Sequence, residues 1–260
     1  MQITALGVWT HSYAGPTTSF HVDYGDVRIL LDTGVDPIGR MRELSIQPTE
    51  CTHLFLSHLH SDHSSGFSNF VFTRELLGRS LDGGGAPLTI LGSAGVLEGC
   101  RALLDLQYPD RKFNVLWKPL IADGEIGLTD QISIRTVETI HSVECHGCRL
   151  SASGGVDVGF TADTAPSEEH IAFFADCGIL LGEAFGTEAR VGQTVNKRGH
   201  STAEDLGHLV SKCKPSWVMP FHFGPECADL AERKALLKAA SGGRSDLTMI
   251  DPVASPRLSI

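Results

Sequence analysis

The residues best suited to chemistry are four polar side chains within six positions of the sequence: His58, His60, Asp62 and His63. They directly follow the apolar residues 53–56, so we expect them in a loop at the carboxyl end of a buried strand. Neutral imidazoles and a carboxylate are ligands that suit zinc. Without a metal, so dense a cluster of polar side chains next to apolar residues has no evident use. The spacing therefore predicts metal ligands, with the first two histidines on one ion and Asp62 and His63 facing a second.

Three further polar residues directly follow other strand-like runs, namely His141, Asp163 and His222. A layered α/β fold gathers its functional site at strand ends, so we expect these side chains near the first cluster. Together with that cluster they supply five histidines and two aspartates. The sequence therefore predicts enough ligands for two divalent ions, with zinc favoured and manganese or iron as alternatives.

Short apolar runs bounded by turn residues indicate the strands that would position these groups. Their length and β-branched content favour buried strands over residues 20–24, 27–31, 53–56, 88–91, 132–137, 156–161, 179–181 and 217–220. Helices are predicted over residues 93–106, 168–175, 201–212 and 227–240. Ser201 with Glu204 indicates a capping box at the third of these helices. We expect a meander-like first half, helices alternating with strands in the second half, and one α/β domain over residues 1–260.

The composition excludes several classes of protein. The chain has 260 residues, of which 42% are hydrophobic and 20% charged, with a formal net charge of −10 and seven cysteines. These values exclude a disordered or fibrous chain, disfavour general affinity for a nucleic-acid backbone, and do not resemble a secreted disulfide framework. The sequence has no run of eighteen apolar residues and no cationic, then apolar, leader, so we expect a cytoplasmic protein that does not enter a membrane.

The histidine and aspartate pattern resembles the metallo-β-lactamase superfamily over most of the chain, from the Asp32-Thr33-Gly34 turn to His222. The resemblance implies an αββα sandwich, a dinuclear site and a homodimer. It places one ion on His58, His60 and His141, and the other on Asp62, His63 and His222. Asp163 would bridge the two ions.

Two short elements in the second half are similar to the ribonuclease Z-like phosphodiesterase branch of that superfamily. Gly199-His200-Ser201-Thr202 matches its His-Ser-Thr element, and Leu181-Gly182-Glu183-Ala184-Phe185 matches another element except that Gly182 replaces a histidine. Two ions about 3.5–4 Å apart would hold a hydroxide nucleophile and neutralise phosphoryl charge. His200 would then protonate the leaving alkoxide and Glu183 would orient it, so the candidate catalytic residues are His200, Glu183 and Asp62.

The substrate and the chemistry have alternatives. Ribonuclease Z carries a long tRNA-gripping arm between its third metal histidine and its bridging aspartate, whereas the interval between His141 and Asp163 is short and rich in glycine. The missing arm and the acidic charge favour a small or cyclic nucleotide diester, with a tRNA 3′ endonuclease as the alternative. Thioesterase, lactonase or β-lactamase chemistry is a third reading, although those branches generally lack the His-Ser-Thr element. A binding protein without turnover is disfavoured because every ligand position is filled.

A second kind of metal site is an open question at Cys145-His146-Gly147-Cys148. The C-x₂-C spacing would suit a structural zinc completed by Cys177 or Cys213. No second C-x₂-C pair exists in the sequence, so the motif alone does not decide whether this extra ion binds.

Overall fold

Two mixed β-sheets organise the chain, whose computed structural model describes residues 1–80, 85–121 and 124–260. The strands in chain order are β1 (Gln2–Gly7), β2 (Ser19–Asp23), β3 (Arg28–Leu31), β4 (His53–Phe55), β5 (Leu88–Gly92), β6 (Val115–Pro119), β7 (Glu125–Gly127), β8 (Ile132–Glu138), β9 (His146–Ala152), β10 (Val158–Phe160), β11 (Ile179–Glu183), β12 (Trp217–Phe221), β13 (Thr248–Met249) and β14 (Arg257–Ser259). The α-helices are α1 (Pro37–Glu43), α2 (Ser61–Ser64), α3 (Phe67–Gly78), α4 (Ala94–Gln107), α5 (Glu168–Phe173), α6 (Glu188–Val191), α7 (Ala203–Cys213) and α8 (Leu230–Ala240).

The described residues form two compact units. The first unit comprises Met1–Gly7, Gly15–Leu120 and Arg257–Ile260, and the second comprises Val8–Ala14 and Ile121–Pro256. Each unit contains one seven-stranded sheet together with its own helices. The predicted α/β class is confirmed, and the prediction of a single domain stays a prediction.

In the first unit the sheet order is β14-β1-β2-β3-β4-β5-β6. The strands from β14 to β3 are antiparallel to their neighbours, and those from β3 to β6 run parallel. The central parallel strands are apolar because helices cover them, and Leu54 and Ile90 pack in one core with Phe67 and Phe70 of α3. Since the carboxyl ends of parallel strands meet at one edge of a sheet, the residues that follow β3 and β4 are neighbours.

In the second unit the sheet order is β13-β12-β11-β10-β9-β8-β7. Here β7 to β10 form an antiparallel meander, and β10 to β13 run parallel. The strands β8, β10, β11 and β12 all point the same way, so the residues at their carboxyl ends share one edge of the sheet. The topology thus brings residues far apart in the sequence to one place.

Several sequence expectations are corrected by the structure. All eight predicted strands are present. The strands β1, β6, β7, β9, β13 and β14 and the helices α1, α2, α3 and α6 were not predicted. The first half is not simply a meander, since both sheets combine antiparallel and parallel pairs. The predicted helix over residues 227–240 begins only at Leu230, because Pro225–Ala228 form a separate 3₁₀ turn and the Asp229 side chain caps the helix.

The capping box of α7 is also one residue later than predicted. Thr202 Oγ1 accepts a hydrogen bond from the Asp205 N–H, and the Asp205 carboxylate accepts one from the Thr202 N–H. Ser201 is instead buried and donates to the Thr164 carbonyl, which leaves Thr202 as the first residue able to cap. The loop predicted over residues 78–87 lies partly outside the described residues. No helix in the described ranges is both long enough and apolar enough to cross a membrane.

Candidate metal centre

The first unit holds a compact histidine cluster just after β4. His58 and His63 are fully buried, and the ring centroid of His58 lies 4.8 Å from that of His60 and 4.3 Å from that of His63. His63 belongs to the short helix α2, which follows directly and also carries Asp62. The Nε2 atom of His63 lies 3.9 Å from Oδ2 of Asp62. The sequence-predicted ligands of this segment are therefore together in space within their unit.

The buried carboxylate of Asp32, which follows β3, organises this cluster. It accepts hydrogen bonds from the Ser57 N–H at 2.8 Å, the Ser57 hydroxyl at 2.7 Å and His63 Nδ1 at 2.7 Å. Because the Ser57 hydroxyl donates to Asp32, its oxygen accepts from His58 Nδ1 at 2.9 Å. Burial raises the pKa of Asp32, and its hydrogen bonds with His63 and Ser57 oppose that rise. The network fixes both imidazoles with Nδ1 protonated, so Nε2 carries the lone pair that a metal needs.

The turn after β3 is shaped to receive the metal loop. Asp32 has a left-handed backbone conformation with φ of 57°, which is unusual for a residue with a Cβ. Two residues later, a Cβ on Gly34 would lie 2.6 Å from the Asp62 carbonyl oxygen, so only glycine lets the two backbones approach. The Thr33 N–H also donates to the His63 carbonyl at 2.7 Å. The Asp32-Thr33-Gly34 turn is thus part of the histidine cluster's support.

The second unit gathers a second cluster at the shared carboxyl edge of its sheet. Asp163 follows β10, Glu183 ends β11 and His222 follows β12. Candidate ligand atoms of these three residues and of His200 all lie within 4.8 Å of one another. His222 Nε2 is 3.2 Å from Asp163 Oδ2, and His222 itself has a left-handed φ of 64°. This strained strand end turns the imidazole toward the aspartate.

His141 joins the same cluster from the loop between β8 and β9. Its Nδ1 donates to the Gly199 carbonyl at 2.9 Å, and its Nε2 lies 4.0 Å from Asp163 Oδ2. A Cβ on Gly199 would come within 2.7 Å of the His141 Cα, and Gly199 has φ of +83°. Glycine is therefore required at the position before His200, where the chain passes close over His141.

Glu183 and His200 form the polar pair of this cluster. His200 Nδ1 donates to Glu183 Oε1 at 2.6 Å, while Glu183 Oε2 accepts from the Thr164 N–H at 2.7 Å. Glu183 Oε1 also lies 3.0 Å from His222 Nδ1. The Glu183 side chain is fully buried, whereas that of His200 is 16% exposed. The carboxylate therefore holds an imidazole that can still reach a substrate.

The donors in both clusters suit divalent ions. His58 Nδ1 donates a hydrogen bond to the Ser57 hydroxyl, and His63 Nδ1 donates one to the Asp32 carboxylate. His141 Nδ1 donates to a backbone carbonyl. This is the usual arrangement around a metal-bound histidine, in which the second ring nitrogen is oriented by an oxygen and Nε2 binds the metal. Buried imidazole and carboxylate ligands together match zinc, and they also accept manganese or iron.

The comparisons with known proteins agree with this geometry. A family model described as a β-lactamase superfamily domain matches residues 27–223. The chain belongs to that superfamily. Ribonuclease BN from Cronobacter sakazakii is 23% identical over 280 residues, which cover 85% of this chain and 88% of that protein. The ribonuclease Z of Oceanobacillus iheyensis matches over 121 residues, only 38% of its own length. These relatives support the ribonuclease Z-like branch that the sequence predicted.

Solved structures show the same fold. Human tRNase Z, short form, superposes with a TM-score of 0.79 at 16% identity, covering 100% of this chain and 99% of that chain. A diphosphatase from the PhnP family gives a TM-score of 0.71 at 16% identity, covering 100% and 97% of the two chains. The predicted metallo-β-lactamase fold is confirmed. The superfamily match and the ribonuclease BN relative support a hydrolase.

The remaining sequence expectations have mixed outcomes. Among the described residues, no group of candidate metal ligands contains a cysteine, so nothing supports an extra zinc at Cys145 and Cys148. Cys148 lies on β9, and the Cys145 thiol is 3.6 Å from the Asp163 carbonyl oxygen. The sequence analysis missed Ser57 and named Asp32 only as part of the Asp32-Thr33-Gly34 turn. Asp32 had the same signal as the other ligand-bearing positions, a polar residue directly after an apolar run.

Proposed function

We propose that this hydrolase cleaves phosphodiester bonds of small or cyclic nucleotides, with His200 as the proton donor to the leaving alkoxide. The observation that carries the proposal is the 2.6 Å hydrogen bond between His200 Nδ1 and the buried Glu183 carboxylate, beside Asp163 and His222. A sugar alkoxide leaves only with a proton, and a positioned imidazole is the side chain that most often supplies one. A thiolate leaves without a proton, so thioester hydrolysis gives no comparable role to this pair.

The metal ligands are proposed from the resemblance together with the donor chemistry of the two clusters. One ion would take His58, His60 and His141, and the other would take Asp62, His63 and His222, with Asp163 bridging. When bound, two zinc ions supply a nucleophile at neutral pH and neutralise charge on the phosphoryl oxygens. Asp32 and Ser57 hold two of the ligand imidazoles in the required tautomer.

The other residues have roles that follow from their contacts. Glu183 keeps the His200 Nδ1 protonated and directs Nε2 outward, so Nε2 is the atom that would deliver the proton. The Asn196 side-chain amide donates to the His200 carbonyl at 3.0 Å and to Asp205 at 2.8 Å. These bonds attach the His200 backbone to the start of α7.

A tRNA 3′ endonuclease is the second candidate, because the relatives named ribonuclease BN and ribonuclease Z match this chain. The interval between His141 and Asp163 contains only β9, a turn and β10, so it has no insertion that could grip RNA. The formal net charge of −10 also disfavours a polyanion. We therefore rank small diesters first. The cytoplasmic location and the homodimer stay predictions from the sequence.

A turnover panel tests the proposal. The metal-loaded enzyme is assayed against cyclic nucleotides, a nitrophenyl diester, a pre-tRNA with a 3′ trailer, and a thioester. We expect cyclic nucleotides to have the highest kcat/KM among the natural substrates, and a chelator to abolish turnover. Mature tRNA ends formed with a higher kcat/KM than any small diester would reverse the ranking, and a preferred thioester or full activity without metal would refute the proposal.

A further inference from the structure

A cavity of about 160 Å³ lies in the second unit between α5, α7 and the ends of β10 and β11. It is close in size to engineered protein cavities of about 150 Å³ that bind benzene, so one aromatic ring fits inside. Glu183 lines its inner end, but Asp163, His200 and His222 are not among the described residues that line it. The cavity is therefore next to the candidate metal centre and separate from it.

The hydroxyl groups lining the inner end of the cavity already donate hydrogen bonds within the protein. Thr161, Thr164 and Ser201 each donate to a backbone carbonyl, at 2.9, 2.7 and 2.7 Å respectively. A hydroxyl has one proton and two lone pairs. Thr161 already accepts from the Glu183 N–H and Thr164 from the Ile140 N–H, so what these groups still offer is their remaining acceptor capacity. A ligand at this end must therefore be a hydrogen-bond donor.

The buried histidine of the cavity wall, His170, also offers a hydrogen-bond acceptor to the cavity. His170 Nε2 lies 3.1 Å from the Glu138 carbonyl oxygen and donates to it, which leaves Nδ1 as an acceptor beside Thr164 Oγ1 at 3.5 Å. Burial lowers the pKa of His170, so the ring adds no positive charge. The inner end thus combines several acceptors and no fixed cation.

The charges around the cavity are acidic. Glu183 lies at the inner end, and Glu168 and Asp205 also line the cavity, whereas no lysine or arginine is among the described residues that line it. An anion such as phosphate would be repelled by these carboxylates. A cation, in contrast, would be attracted by the carboxylates.

The rest of the wall is apolar. Ile171 of α5, Leu206 and Leu209 of α7, and Ala165 and Pro166 of the connecting loop supply it. Such a surface covers a hydrocarbon ring, and burying it from water favours binding. The combination of an apolar wall with an acceptor-lined, acidic inner end selects the chemistry of the ligand.

From this lining we infer that the cavity is a binding site for a small primary amine carrying an apolar body of about one aromatic ring. The ammonium group donates to the hydroxyl oxygens and to the Glu183 carboxylate, and the ring lies between α5 and α7. This assignment is independent of the proposed function, because binding is measured directly and does not require turnover.

Ligand-observed NMR titrations of the metal-loaded enzyme at neutral pH test the site with three probes of matched size. Benzylamine is the cation, benzyl alcohol the neutral donor and benzoate the anion. We expect benzylamine to bind about 10- to 100-fold more tightly than benzyl alcohol, because its hydrogen bonds are charge-assisted, and benzoate not to bind. Equal affinity for the three probes would overturn the assignment.

Two tryptophan substitutions on α7 locate the binding. Leu209→Trp fills the cavity and should abolish benzylamine binding, whereas Lys212→Trp, at an exposed position outside the lining, should leave it unchanged. Circular dichroism verifies that both variants fold. If Leu209→Trp does not fold, Ile171→Phe is used to fill the cavity instead. Benzylamine binding that survives filling of the cavity would show that the amine binds elsewhere, for example on the metal ions, and would refute the proposal.

Discussion

The histidines of the candidate centre differ from ordinary buried histidines in how their ring nitrogens are used. His58, His63 and His141 are each bound through Nδ1 to an oxygen of the protein, so their Nε2 atoms are oriented as ligand atoms. Asp32 is the residue on which two of these orientations depend, although it is not itself a proposed ligand. Its contribution can be measured separately from that of the ligands.

We predict that Asp32→Asn weakens zinc binding by about 10- to 100-fold while the protein stays folded. The amide of asparagine would bring N–H donors toward His63 Nδ1 and the Ser57 hydroxyl, which now donate to the carboxylate. Competition with a chromophoric chelator measures the affinity, and circular dichroism measures the fold. Asp23→Asn, at the end of β2 where Asp23 pairs with Arg28, is the control. An unchanged zinc affinity in Asp32→Asn would contradict the orienting role.

For His200→Ala we predict an effect that depends on the leaving group. A cyclic nucleotide expels a basic alkoxide, so loss of the proton donor should reduce kcat by about 10²- to 10⁴-fold. A nitrophenolate leaves without a proton, so turnover of a nitrophenyl diester should fall much less. Steady-state kinetics on both substrates provide the comparison, and metal analysis should show an unchanged ion content.

Other outcomes of the same experiment distinguish other roles for His200. If both substrates lose rate equally, His200 stabilises phosphoryl charge and is not the general acid, since that charge is common to both reactions. If neither rate changes, His200 is only a neighbour of the helix cap. Either result would remove the proton-donor role from the proposal.

The segment from Gln193 to Arg198 and the helix α7 together hold His200 in place. Asn196 bonds to both His200 and Asp205, and Asp205 in turn bonds to Thr202 at the start of the helix. The helix begins at this position because Thr202 and Asp205 satisfy each other's N–H groups. The cap therefore has a part in both helix stability and the placement of a candidate catalytic group.

The position of the cap gives a prediction that compares two substitutions. Thr202→Ala should lower the free energy of unfolding by about 0.5–2 kcal/mol, as is usual for loss of an N-cap side chain. Glu204→Ala should change it by less than about 0.5 kcal/mol, because Glu204 is exposed and its carboxylate accepts from the Glu188 N–H, outside the capping box. Urea unfolding at equal zinc concentration measures both. A larger loss of unfolding free energy for Glu204→Ala than for Thr202→Ala would instead support the capping box of Ser201 and Glu204 that the sequence predicted.

A buried and a half-buried histidine outside the metal clusters make the stability of the molecule depend on pH. His21 lies on β2 opposite Thr4 and is 3% exposed, and burial lowers its pKa to about 4, although Asp23 opposes the shift. Burial also lowers the pKa of His53 to about 4. Between about pH 6.5 and pH 4 the unfolded chain binds more protons at these sites than the folded chain, so stability falls as the pH falls through this range.

We therefore predict that His21→Gln makes the unfolding free energy less dependent on pH. Glutamine has a similar size and does not titrate, so the variant should lose less stability than the unmodified protein between about pH 7 and about pH 5. Urea unfolding at several pH values measures the slope, and His208→Gln, at an exposed position, is the control. Equal slopes for His21→Gln and the unmodified protein would show that protonation of His21 does not contribute.

The candidate metal ligands and the main strands were predictable because their signals are local. His58, Asp163 and His222 each follow an apolar run, and an apolar run of strand length ending in a polar residue indicates a site at the edge of a sheet. The pattern also identified the superfamily. Strands such as β1 and β6 were missed, because only the pairing with a neighbour distant in sequence stabilises them.

Contacts between distant residues required the folded chain. His141 is oriented by the Gly199 carbonyl, 58 positions later, and His63 by Asp32, 31 positions earlier. Nothing near Ser201 in the sequence shows that its hydroxyl donates to Thr164, which is why the cap is at Thr202 instead. The amine-sized cavity likewise exists only because α5 and α7 meet over the ends of β10 and β11. Local residue pattern specifies which side chains are at a strand end, whereas packing specifies which atoms they bind.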